Sequence, residues 1–296
     1  MIFRKSAVRI IEIKLLLVIN IVFLLIFGPM LVIAQTDTRI THKDVEYGQV
    51  EGEKLLLDIH QPDGTGPFPV AIYVHGGGWT GGDKANPDDS PMLEMLNKAG
   101  FTWFSINYRL APEHRWPSSQ NDVQTAIRWV KANAAKYQGD ASKIVLIGYS
   151  AGGQLATYAA TVVDESIAVQ AVIGCAPLTD FVQELPKRGF VLGRAQRGLI
   201  NRTEELTMEA LGMLKALSPI NCVRAGMPPF LLIHGDADQS VPYEQSLLFQ
   251  AKLWSNGVRC DLITIPDEPH RISQWNQHLP NYDDKVIAWL HDILGD

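Results

Sequence analysis

Lys143-Ile144-Val145-Leu146-Ile147-Gly148-Tyr149-Ser150-Ala151-Gly152-Gly153-Gln154-Leu155-Ala156-Thr157-Tyr158-Ala159 runs from an unbroken apolar stretch, through G-x-S-x-G, into a helix-forming segment. Strand, tight turn, helix is the context in which the residues two before and two after the serine must lack side chains, and Gly148 and Gly152 meet that demand. Such a turn lifts Ser150 to the top of a sheet, where its hydroxyl can attack a carbonyl once a base takes its proton.

Outward from this stretch the period of the chain is that of buried strands. Residues 70–75, 101–107, 144–147, 169–174, 230–233 and 262–265 are continuous apolar runs, which suits strands covered on both faces of a parallel sheet. Two shorter strands, 45–50 and 55–60, precede them and are parted by Gly52. Helical stripes lie between the strands: Val123, Ala126, Ile127 and Val130 in one, and Val286, Trp289, Leu290, Ile293 and Leu294 in the last. An antiparallel start followed by repeated strand–helix units predicts an α/β class domain with a mostly parallel, doubly wound sheet and helices on both faces. Residues 178–217 interrupt the pattern with Lys187, Arg188, Arg194, Arg197 and Arg202 among leucines, and read either as a small cap or as a solvated excursion.

A serine hydroxyl needs a histidine base and a carboxylate to orient that base. After Ser150 the run 230–233 ends in His234-Gly235-Asp236-Ala237-Asp238-Gln239-Ser240-Val241-Pro242, and the run 262–265 ends in Pro266-Asp267-Glu268-Pro269-His270. Both loops follow carboxyl ends of strands, where ligand sites of open α/β sheets gather. The spacing leaves Asp238 free to face a histidine and assigns Asp236 to bonding its own loop; His270 directly follows a strand and is the better base than His278 or His291. His75-Gly76-Gly77-Gly78-Trp79 after the run 70–74 supplies glycines whose backbone N–H groups can approach a developing oxyanion, each worth about 3–4 kcal/mol of barrier. The donors expected are the amides of Gly77, Gly78 and Ala151, with His75 bracing the loop and Trp79 either in the core or on the pocket wall.

Gly76 to Gly81 also satisfies G-x-G-x-x-G, yet Gly82-Asp83-Lys84-Ala85-Asn86-Pro87 continues as loop instead of opening a helix, so a dinucleotide cofactor is not expected. H-E-x-x-H is absent and no metal is expected either.

The first residues read as a targeting signal: Arg4, Lys5, Arg9 and Lys14, an apolar stretch over 15–33, and Val32-Ile33-Ala34 as a cleavage site. The competing reading is an uncleaved membrane anchor, since the stretch is about long enough to span a bilayer. Either way the catalytic domain, 35–296, is expected outside the cytoplasm, secreted or periplasmic. Removing four basic residues and one acid from the chain's 26 and 32 leaves 22 against 31, a net charge of −9. That balance disfavours nucleic acid as a partner. Cys175 and Cys260 sit in apolar runs and read as buried thiols; whether Cys222 or either of these is oxidised is left open.

These motifs carry a family resemblance. His75–Trp79 (HGGGW), Tyr108-Arg109-Leu110-Ala111-Pro112-Glu113, GYSAGG at 148–153 and HGDADxxVP at 234–242 resemble the α/β-hydrolase superfamily, nearest to its hormone-sensitive-lipase-like esterases and its acetyl-xylan and feruloyl esterase-like group. The resemblance implies hydrolysis of carboxylic esters without a cofactor, with Ser150, Asp238 and His270 as the triad. It departs from the lipase-like branch in having about ten residues between Gln35 and the first strand, so a large N-terminal cap and long-chain lipid are not expected. The expected substrate is a short-chain, above all acetyl, ester of a carbohydrate or other small alcohol. An amide hydrolase on the same triad and a non-catalytic binding module on the same fold are the alternatives.

Overall fold

The computed structural model describes residues 40–295, and residues 1–39, with the targeting segment, lie outside the described part. Eight strands, β1 (Ile40–Val50), β2 (Glu53–His60), β3 (Phe68–Val74), β4 (Thr102–Ile106), β5 (Gly139–Tyr149), β6 (Ala171–Cys175), β7 (Phe230–Gly235) and β8 (Cys260–Ile265), form one sheet in the order β1-β2-β4-β3-β5-β6-β7-β8. β1 with β2 and β2 with β4 are antiparallel, and every other pairing is parallel.

The continuous apolar runs are explained by cover on both sides. On β3, Val70, Ile72 and Val74 face one core with Val123 and Ile127 of α2 (Ser118–Asn133) and Leu155 of α3 (Ala151–Ala159). Ala71 and Tyr73 face the other, with Met92 and Leu96 of α1 (Ser90–Lys98) and Val286 and Leu290 of the C-terminal helix (Tyr282–Leu294). Each of these side chains is buried, and each buried aliphatic one contributes about 1.5–3 kcal/mol.

β8 departs from the expectation. Only Cys260 and Ile265 are buried there and the four residues between are half-covered, because β8 is an edge strand paired with β7 alone. Residues 178–217 are a packed layer, not a solvated loop. They hold α4 (Arg194–Ile200) and α5 (Met208–Ala216), and Leu192, Leu199, Ile200, Ala210 and Leu214 are buried in the same core as α2 and α3.

The chain leaves β3 for β4 on one side and returns to β5 on the other. The carboxyl ends of β3 and β5 therefore bound the crevice that such a reversal opens in a parallel sheet.

Candidate active site

Ser150 occupies the turn between β5 and α3 with φ 54° and ψ −116°. A side-chain-bearing residue held there costs about 1–3 kcal/mol, which the surrounding structure must over-determine. It does so by close packing. Ser150 N–H donates to Cys175 O at 2.8 Å, a Cβ on Gly148 would collide with Gly152 O, and a Cβ on Gly152 would collide with Val74 O and His75 O. Both glycines are required by backbone that approaches too closely for any side chain.

Ser150 Oγ lies 2.9 Å from His270 Nε2, and His270 Nδ1 lies 2.5 Å from Asp238 Oδ2. Asp238 is buried and His270 nearly so. Burial alone would raise the Asp238 carboxyl, but hydrogen bonds from His234 and His270 outweigh it and hold the group far below the usual carboxylate range. An ionised Asp238 accepts only, so Nδ1 of His270 carries the proton and Nε2 is left to accept from the Ser150 hydroxyl. Oδ1 of Asp238 accepts from the N–H groups of Ser240 at 2.8 Å and Val241 at 2.9 Å, so the carboxylate also closes its own turn. The cap-like role and the histidine-facing role are both present, on separate oxygens.

The two loops are pinned to each other. Ala237 N–H donates to Glu268 O at 3.2 Å, and Asp267 N–H donates to Asp236 Oδ1 at 2.7 Å. This corrects the assignment of Asp236 to its own loop: its carboxylate bridges to the neighbouring one, because β7 and β8 end side by side. Tyr149 stacks on the His270 ring, centroids 5.1 Å apart, and its hydroxyl donates to His270 O at 3.0 Å.

His234 and its partner Ser246 were not singled out from the sequence. His234 is fully buried at the end of β7, with Nδ1 2.7 Å from Ser246 Oγ. Its Nε2 lies 2.8 Å from Val241 O and 3.3 Å from Asp238 Oδ2. With Nε2–H donating to these oxygens, Nδ1 accepts from Ser246, and a polar line runs from α6 (Glu244–Ser255) through His234, Asp238 and His270 to Ser150. A histidine at the close of an apolar strand was the available signal.

Loop 75–79 lies beside Ser150. Gly77 and Gly78 have φ of 120° and 60°, and a Cβ on Gly77 would collide with Gly81 O. Their residues and Ala151 line the same cavity as Ser150 and His270. Ala151 is the first residue of α3, where backbone N–H groups have no partner within the helix. His75 is buried, its Nδ1 is 2.6 Å from Gly76 O and its ring stacks on Tyr108 at 4.4 Å. Burial lowers its pKa, so it stays neutral and braces the loop. Trp79 is both core and wall: it is buried, lines the cavity, and donates from Nε1 to Gln154 Oε1 at 2.9 Å.

The cavity measures about 430 Å³, and its lining includes Leu178 and Phe181 of the 178–196 stretch together with Val241 and Pro242. Cys175 and Cys260 are buried, Cys222 is half-buried, and all three are free thiols. His278 sits on Glu268 at 3.1 Å, outside the line that reaches Ser150. No group of three or more His, Cys, Asp or Glu among the described residues could hold a metal ion.

A sheet of this order, with a serine on the turn after β5 and a histidine and an aspartate on the loops after β8 and β7, is the α/β-hydrolase fold. The chain belongs to the BD-FAE family, whose profile matches residues 57–253. It is 35% identical over 228 residues to esterase LipC of Mycobacterium tuberculosis, covering 73% of this chain and 56% of that protein. Esterase LipQ of the same organism is 33% identical over 228 residues, covering 73% and 53%. The chain thus spans about half the length of these curated relatives. Among solved structures, a truncated carbohydrate esterase from gut microbiota superposes with a TM-score of 0.71 at 26% identity, over 86% of this chain and 96% of that one. The butyrate-bound thermophilic esterase Est2 of Thermogutta terrifontis gives 0.67 at 27% identity, over 86% and 93%.

Proposed function

We propose that this protein is a serine carboxylic ester hydrolase that works through an acyl-enzyme, with Ser150, His270 and Asp238 as its catalytic triad. The observation that carries this reading is the hydrogen-bonded line from Ser150 Oγ to His270 at 2.9 Å and on to Asp238 at 2.5 Å. His270 takes the hydroxyl proton as Ser150 attacks the ester carbonyl, and the amides of Gly77, Gly78 and Ala151 receive the oxyanion. The protonated His270 then gives its proton to the departing alcohol, leaving an acylated Ser150. Water, deprotonated by His270, attacks the acyl carbon, and collapse releases the acid and restores the serine. Asp238 holds His270 in the tautomer this sequence needs.

Several observations support a short acyl group on a small alcohol or carbohydrate. The cavity of about 430 Å³ lies in the range of small-ligand pockets, and one structural relative is a carbohydrate esterase. The basic and apolar leader supports an exported enzyme, secreted or periplasmic, or held at the membrane if the leader is kept.

The test is acetate release from acetylated xylo-oligosaccharides, as kcat/KM relative to 4-nitrophenyl acetate, with Ser150→Ala as the blank. A high ratio is expected for a carbohydrate acetylesterase. Turnover of the nitrophenyl ester alone would remove the carbohydrate assignment, and silence on both in folded protein would remove the enzyme.

A further inference from the structure

The four arginines of segment 178–217 fall into two pairs. Arg197 Nη1 lies 2.5 Å from Glu204 Oε1, and Arg202 is ion-paired with Glu209. Arg188 and Arg194 are exposed, and their guanidinium groups have no hydrogen bond or ion pair among the described residues. These two, and not the paired ones, line the cavity that holds Ser150 and His270.

The acids of the same wall do not cancel them. Glu184 is engaged by Lys187 Nζ at 3.2 Å, and Asp180 Oδ1 is occupied by the N–H groups of Val182 at 2.8 Å and Gln183 at 3.3 Å. Two guanidinium groups without a partner among the described residues therefore line the cavity beside two acids that are already engaged, in a chain whose net charge is −6. Arg188 is also seated: a Cβ on Gly193 would stand 2.8 Å from its Nη1, so the absence of a side chain at 193 makes room for the guanidinium. Leu178, Phe181, Val241 and Pro242 line the same cavity with apolar side chains.

We propose that the ester cleaved at Ser150 carries a carboxylate, and that Arg188 and Arg194 receive it while the scissile carbonyl sits against the loop of Gly77 and Gly78. The planar fork of a guanidinium matches the two oxygens of a carboxylate, and such charge-assisted pairs are the stronger hydrogen bonds. This substrate class rests on the ester-hydrolase reading above.

Two substrate pairs test it, one with the anion on each side of the ester. The 4-nitrophenyl monoester of glutaric acid is compared with 4-nitrophenyl valerate, and 4-carboxyphenyl acetate with 4-carbamoylphenyl acetate. In at least one pair the anionic ester is expected to show about tenfold higher kcat/KM, expressed mainly in KM and shrinking as salt is added. In Arg188→Gln/Arg194→Gln that preference is expected to vanish, with the melting temperature kept as the check on folding. A preference near or below one in both pairs, or one the double variant retains, overturns the proposal. Absence of turnover on all four esters refutes the ester-hydrolase reading instead. Calorimetric titration of Ser150→Ala with 4-carboxyphenyl acetate then decides the anion site independently: binding lost on adding both arginine substitutions supports it, and binding unchanged overturns it.

Discussion

Replacing Asp238 by asparagine changes one oxygen to an NH₂ group, and the surrounding hydrogen bonds dictate which one. Oδ1 receives two backbone N–H donors, at 2.8 Å from Ser240 and 2.9 Å from Val241. An amide NH₂ there would set a donor against two donors, so the carboxamide oxygen must take that place. The NH₂ then faces His270 Nδ1, 2.5 Å away in the parent, where it can only donate. His270 accepts it by moving its proton to Nε2, which then points a donor at Ser150 Oγ 2.9 Å away, and the base is lost. The expected fall in kcat/KM on 4-nitrophenyl acetate at pH 7 is about 10⁴-fold, or roughly 5.5 kcal/mol of transition-state stabilisation. The fold is expected to persist, as read by circular dichroism. A loss under about tenfold in folded protein would refute the tautomer argument and the triad with it. Stability should shift as well. Because the carboxyl is depressed in the folded state, its contribution is present above about pH 4 and is lost as the pH falls towards the folded value. The asparagine variant lacks that acid-dependent component, so its melting temperature should fall less steeply on acidification.

Other perturbations follow from the same geometry. Ser150→Ala should lower kcat by about 10⁶-fold while leaving the melting temperature within a few degrees, measured by ester turnover and thermal unfolding. Gly152→Ala forces a methyl onto Val74 O and His75 O and should destabilise the fold by about 3 kcal/mol or more, seen as a drop of roughly 6–12 °C. Arg109→Ala leaves Asp122, which accepts from the guanidinium at 2.8 and 2.9 Å, buried without its cation, and should cost about 3–5 kcal/mol in chemical denaturation. Burial pushes the Asp89 carboxyl up to about 7. The neutral acid's contribution is therefore complete below about pH 4 and lost as the pH rises through 7, whereas Asp89→Asn should hold its melting temperature across that window and exceed the parent at pH 8.

The parts of the site that sequence alone disclosed are those with local causes. Gly148 is needed because Gly152 O of the same turn crowds it, and the apolar run before Ser150 forms a strand buried on both faces. Loop 75–79 was legible for the same reason: Gly77 and Gly78 adopt left-handed backbone that other residues resist. β8 misled because an apolar run looks alike at the centre and at the edge of a sheet, and only strand order tells them apart. Asp236 misled because its partner, the N–H of Asp267, stands 31 residues away.

The order of strands and helices, the turn that exposes Ser150, and the choice of Asp238 and His270 were set by patterns a few residues long, since pleat, helix period and tight turns are dictated by neighbours in the chain. Tertiary structure alone decided that Ser150 and His270, 120 residues apart, meet at 2.9 Å. It also decided that His234 adds a further donor to Asp238, and that Arg197 and Arg202 find acids while Arg188 and Arg194 open into the cavity. The reason is physical: hydrogen bonds and ion pairs form or fail over a few tenths of an ångström, and that distance is fixed by how the strand ends and the 178–217 layer pack together, not by the identity of any residue within them.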